Sequence, residues 1–88
     1  MLGVPADMPT FREIAQSHDL ALIEDACEAI GGKHLGRHLG GWGDVAAFSF
    51  DQGKMIATGE GGMVLTKNHA ISERIKIMRL HGIDRDAF

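Results

Sequence analysis

At 88 residues, 44% hydrophobic and 24% charged, the chain has the composition of an ordinary globular sequence of at most one small domain. A net charge of −3 excludes the clustered basic field needed to hold nucleic acid or an anionic membrane. A single cysteine, Cys27, excludes an internal disulfide and gives no sign of an oxidising compartment. No apolar run approaches the roughly 20 residues of a membrane span, and the opening MLGVPADMPTF lacks the regions of a signal peptide. The expected setting is cytoplasmic, with neither nucleic acid nor membrane as partner.

In chain order, the turn MLGVPAD leads into a segment where Phe11, Ile14 and Ala15 follow the spacing of one helix face. Either Asp7 or Thr10 caps this helix, the latter in a capping box with Glu13, and Pro9 suits its first turn. LALIED reads as a short buried strand that ends abruptly in two acids. The stretch ACEAIGGKHLGRHLGGWGD holds too much glycine for a long helix and reads as one helical turn followed by a loop or short hairpin. DVAAFSF and GGMVLTK are two further strands, parted by about a dozen residues without helical period, which favours antiparallel pairing. HAISERIKIMRLHG closes the order as a helix with Ile71, Ile75 and Met78 on one face, Glu73, Arg74, Lys76 and Arg79 largely off it, and Gly82 as its stop.

The fold class is therefore α/β: a partial layered sheet of about three strands, the last antiparallel, with flanking helices. Such a sheet leaves an edge and much of a face uncovered. Ligands in open α/β sheets bind beyond the carboxyl ends of the parallel strands. Glu24 and Asp25 end the first strand there, Ser49 lies near the end of the second, and Lys54 follows just beyond. An acid, a hydroxyl and an amine at one rim suit pyridoxal phosphate, which needs an amine for a Schiff base, a carboxylate at its pyridine nitrogen and donors for its phosphate.

The same residues carry a resemblance. LIEDACEAIGGKHLGRHLGGWGDVAAFSFDQGKMIATGEGGMVLTKN followed by ERIKIMRLHG resembles the DegT/DnrJ/EryC1/StrS sugar aminotransferases, which belong to the aspartate-aminotransferase fold type I. The match extends over nearly all 88 residues, with the acidic pair, SF followed by lysine, TGEGG and the terminal RLHG in one order. The resemblance implies that Lys54 forms the Schiff base and shuttles protons, that Asp25 pairs with the pyridine nitrogen, and that Ser49 contacts the phosphate. Glu28 falls where relatives usually carry glutamine near the phenolic oxygen, a departure because a carboxylate there repels a phenolate. Met55 and the run Asp51, Gln52 and Gly53 also depart from the family pattern, which bears on donor and substrate detail more than on reaction class.

The implied reaction moves an amino group from an amino acid donor, glutamate in the first instance, to a keto sugar that is nucleotide-linked. A subset of the family has histidine in place of the lysine and acts as dehydratases, so Lys54 favours transamination; the alternatives are a cofactor-dependent sugar dehydratase and a non-catalytic cofactor-binding relative. The resemblance also implies a homodimer with sites completed across subunits. It makes residues 1–88 an interior slice of the cofactor-binding large domain, with the amino-terminal segment and the carboxyl-terminal small domain lying outside it and no activity expected of the slice alone.

Each residue also has a plainer reading. Lys54 by itself is an ordinary solvated loop lysine, Asp25 a helix cap, and Ser49 a satisfied strand hydroxyl. Glu60 and the glycines of TGEGG read as a turn, and they match neither the dinucleotide fingerprint nor the P-loop. His34 and His38 are four apart, yet Gly36 between them argues against a helical metal pair, so no metal site is expected. His81 reads as a cation at a helix end, Cys27 as a small buried residue, and Trp42 as packing for the glycine loop.

Overall fold

The computed structural model describes residues 2–84 and Asp86. Helix α1 spans Met8–Ser17, and the choice of cap falls on Asp7, whose carboxylate accepts from the Thr10 N–H at 3.3 Å and the Thr10 hydroxyl at 2.8 Å. Thr10 is thus a donor inside the first turn, and the alternative capping box with Glu13 does not form. Met8 and Ala15 are buried, while Phe11 and Ile14 remain about half exposed, so the apolar face is only partly covered.

Strand β1 is Ile23–Asp25, shorter than LALIED implied and, contrary to expectation, buried only at Glu24, since β1 is an edge of the sheet and leaves Ile23 and Asp25 exposed. Its approach is held by the side chain of Asp44, which accepts from the Leu22 N–H at 2.8 Å, while the Asp44 N–H donates to the Leu22 carbonyl. Strands β2 (Lys33–His34) and β3 (Arg37–His38) form a two-residue hairpin at Leu35 and Gly36. Both turn residues take positive φ, +47° and +77°, as a primed hairpin turn requires. The helical turn expected in ACEAI is absent. Two successive turns replace it, closed by Ala29 N–H to Ala26 O and Gly32 N–H to Ala29 O, because the paired glycines that follow let the chain bend rather than wind on.

Strands β4 (Val45–Ser49) and β5 (Gly62–Thr66) complete a three-stranded sheet of order β1-β4-β5. β1 runs parallel to β4, and β5 runs antiparallel to it, the latter as the short connection between β4 and β5 implied. Residues alternate between faces in strands, so the register Glu24↔Ala46 and Asp25↔Ala47 divides the sheet. Glu24, Ala46 and Phe48 face one side, and Asp25, Ala47 and Ser49 the other. The first side is covered by two small cores, one of Ala26, Ala46 and Phe48 and one of Met8, Leu39 and Trp42.

Helix α2 is His69–Met78, capped by Asn68, whose side chain accepts from the Ile71 N–H at 3.1 Å. It ends through the Gly82 N–H donating to the Ile77 carbonyl, with His81 and Gly82 both at positive φ. No residue of α2 is buried; Ile71 and Ile75 are partly covered and Met78 is exposed. Among the described residues, no helix is long and apolar enough to cross a membrane.

Candidate cofactor site

The acidic pair at the end of β1 separates into two functions because neighbouring strand residues point to opposite faces. Glu24 is buried, at 7% exposure. Its carboxylate accepts three backbone N–H groups, from Gly40 and Trp42 at 2.8 Å and from Gly43 at 2.6 Å. Glycine-rich backbone cannot satisfy its own donors, and a buried donor without a partner is costly. Glu24 therefore pins the Gly40–Gly43 loop to the sheet and is not a reacting group at the rim, which corrects the pairing of the two acids as equivalent functional side chains. The signal was present in GGWG, a run of donors with no local acceptor.

Trp42 is held in the same assembly. Its indole packs on Met8 and Leu39, the Arg37 guanidinium lies 4.4 Å from the ring centroid, and Arg12 Nη1 donates to its carbonyl. Its role is packing, as expected of it. His34 and His38 lie on neighbouring strands of the hairpin opposite Arg37 and Lys33, not on a helix. Among the described residues, no group of three or more His, Cys, Asp or Glu side chains could hold a metal ion.

Asp25, on the opposite face from Glu24, is exposed at the carboxyl end of β1, and a cavity of about 640 Å³ at this sheet edge is lined by both acids together with Cys27, Glu28 and Lys54. The walls are apolar, supplied by Met8, Phe11, Leu22 and the segment Gly3–Ala6. The Cys27 thiol and the Cys27 N–H, the latter 3.2 Å from Asp25 Oδ1, hold the Asp25 carboxyl below the usual carboxylate range, and the charge of Lys54 adds to this. The same contact with Asp25, with burial, pushes the Cys27 thiol up, so it stays a neutral thiol, also 3.7 Å from the Ala47 carbonyl.

Lys54 follows β4 in a turn closed by its own N–H to the Asp51 carbonyl at 3.0 Å. Its side chain is one-quarter exposed and its Nζ lies 3.9 Å from Glu28 Oε1. Glu28 Oε2 accepts from the Leu2 N–H at 2.7 Å. Three of the four residues singled out in the sequence, Asp25, Glu28 and Lys54, are thus brought to one cavity. Ser49 does not line it. It stands at the carboxyl end of β4 on the same sheet face as Asp25, with its hydroxyl accepting from the Asp51 N–H at 3.3 Å.

An amine beside a carboxylate that stays ionised, with a hydroxyl at the next strand end, is a donor set that fits pyridoxal phosphate. Held there, the cofactor would take Lys54 as its amine and Asp25 as the carboxylate for its ring nitrogen, with Ser49 as a candidate donor for its phosphate.

Comparison with known proteins agrees with this chemistry. The DegT/DnrJ/EryC1/StrS aminotransferase family matches residues 1–88. Curated relatives include the uncharacterized protein MJ1066 of Methanocaldococcus jannaschii, 51% identical over 98% of this chain and 22% of the relative. They also include the GDP-perosamine synthase of Caulobacter vibrioides, 40% identical over 96% of this chain and 23% of the relative. Among solved structures, DesV of S. venezuelae in complex with a ketimine intermediate superposes with a TM-score of 0.89 at 41% identity, over 97% of this chain and 23% of that one. The E. coli GDP-4-keto-6-deoxy-D-mannose-3-dehydratase with bound hydrated PLP does so with a TM-score of 0.88 at 31% identity, over 98% and 22%. These neighbours share the pyridoxal-phosphate fold type I, and the family depends on that cofactor. The chain spans less than a quarter of the length of the curated relatives it matches.

Proposed function

Because the chain belongs to the DegT/DnrJ/EryC1/StrS aminotransferase family, we propose that the whole protein is a pyridoxal-phosphate-dependent aminotransferase acting on a nucleotide-linked keto sugar, with glutamate or another amino acid as donor. The observation that carries this reading is that one cavity brings together Asp25, which ends β1, and Lys54, which follows the parallel strand β4. When bound, pyridoxal phosphate supplies an electron sink for the charge left on a substrate carbon as its proton departs.

Lys54 would provide the amine that carries the cofactor and, when released, would move the proton that leaves the substrate's alpha carbon to the carbon on the far side of the bridging nitrogen. Asp25 keeps a proton on the ring nitrogen, a task suited to a carboxylate that its neighbours hold ionised. Ser49 donates its hydroxyl to the phosphate.

On this reading residues 1–88 are part of the cofactor-binding large domain of a cytoplasmic enzyme, completed by further segments of the chain and by a partner subunit. The dehydratase among the structural neighbours motivates a second reading, a keto-sugar dehydratase; nitrogen in the sugar product separates the two. Borohydride reduction of the full-length protein with pyridoxal phosphate should leave a pyridoxyl group on Lys54. Lys54→Ala should lose that label and at least about a thousandfold in turnover, the scale seen when a covalent catalytic group is removed. A Lys54→Ala enzyme that still completes both half-reactions would overturn the proposal.

A further inference from the structure

Glu28 holds two unlike groups with its two oxygens. Oε2 accepts from the Leu2 N–H at 2.7 Å, and Oε1 faces Lys54 Nζ at 3.9 Å. The main chain of Glu28 is engaged as well. Leu2 and Gly3 turn at φ +57° and +76°, and Gly3 packs so closely on the Glu28 carbonyl that a Cβ there would lie 3.1 Å from it. Gly3–Ala6, which this turn leads into, lines the cavity that Lys54 enters. The three negative side chains around that cavity are not interchangeable. Glu24 is committed to three backbone donors and Asp25 receives the N–H of Cys27, so Glu28 alone of the three lies within ion-pair distance of the lysine.

We propose that Glu28 is a positioning residue that ties the Leu2–Ala6 wall to Lys54 and holds the amine at the cavity wall whenever the lysine is not covalently engaged. The proposal rests on Lys54 being the cofactor-bearing amine. It gives Glu28 a different task from contact with the phenolic oxygen, since a carboxylate attracts an ammonium and repels a phenolate. Glu28→Gln and Glu28→Ala separate the two ties. The glutamine still offers an oxygen to the Leu2 N–H but no charge to Lys54, whereas alanine removes both.

The test uses the full-length protein stripped of cofactor. Acylation of Lys54 by limiting acetic anhydride is measured against Lys67 as internal reference, alongside hydrogen exchange of the Leu2–Ala6 amides. Both variants should acylate Lys54 about two- to fivefold faster than the parent, the scale of one partly exposed ion pair. Exchange at Leu2–Ala6 should rise in Glu28→Ala and stay at the parent level in Glu28→Gln. Unchanged Lys54 acylation in both variants, or unchanged exchange in Glu28→Ala, overturns the proposal. Borohydride reduction of the parent protein with pyridoxal phosphate tests the underlying function separately. A failure to label Lys54 there removes the aminotransferase reading, while the acylation and exchange results still decide what Glu28 holds.

Discussion

Glu24 and Asp25 are chemically near-identical neighbours with opposite fates, and the cause is the two-residue period of a strand. Asp25 and Cys27 form a mutual arrangement in which the thiol and N–H hold the carboxyl ionised and the carboxylate holds the thiol neutral. Asp25→Asn removes the negative charge and the stronger acceptor, so the Cys27 thiol should fall toward its ordinary value. Alkylation of Cys27 in the cofactor-free protein at mildly alkaline pH should then be several-fold faster than in the parent, because the thiolate is the nucleophile. The lowered Asp25 carboxyl has a matching signature in stability. Its contribution is present above the ordinary carboxylate range and is lost as pH falls through its lowered value. Acid titration of Asp25→Asn should lack that part of the parent's loss. Glu24→Gln puts an amide N–H₂ where one carboxylate oxygen received backbone donors. One or two buried N–H groups lose their acceptor at about 1–3 kcal/mol each, and a destabilisation of about 2–4 kcal/mol is expected from the denaturant midpoint. Asp25 and Lys54 stood out in the sequence through their positions at strand ends. Glu24 stood out with them as a rim acid, but its pinning role did not, because that role depends on donors some sixteen to nineteen residues away whose direction only the folded loop sets.

Helices and strands were legible wherever the governing signal is local. α2 was visible in the spacing of Ile71 and Ile75 and in Gly82, and the antiparallel β4–β5 pair followed from a connection too short for a crossover. The stretch between β1 and β4 was less legible, since glycine permits many paths and the path taken is chosen by Glu24, Trp42 and Phe48 together. Gly40 shows how tight that choice is. It stands at φ +93°, and a Cβ there would lie 2.5 Å from Cζ of the buried Phe48 ring. Gly40→Ala combines left-handed strain with overpacking and should cost about 2–4 kcal/mol in unfolding free energy. Asn68→Ala removes only the acceptor for the Ile71 N–H. Its cost should be about 1 kcal/mol, felt at α2 as faster hydrogen exchange in the first turn and leaving the Lys54 cavity unchanged.

The molecule as a whole is a slab of 45 × 35 × 17 Å with a radius of gyration of 14.6 Å, against about 12 Å for a compact domain of this length. Its accessible surface is 6808 Å², where a folded monomer of this size exposes about 5,000 Å². Large apolar side chains contribute to it. Met63, Val64 and Leu65 in β5 are 42–50% exposed, successive residues of that strand point to opposite faces, and Ile23, Phe11, Ile14 and Met78 lie open as well. An edge strand with apolar side chains on both faces is ready to pair or to be covered. The 88 residues expressed alone should therefore associate and bind a hydrophobic dye, and should show no transaminase turnover. In the full-length protein the same β5 amides should be protected from hydrogen exchange. Sedimentation showing a stable monomer that does not take up the dye would contradict this. It would mean that the two small cores around Trp42 and Phe48, with Glu24 pinning the loop between them, suffice to hold the slab in solution.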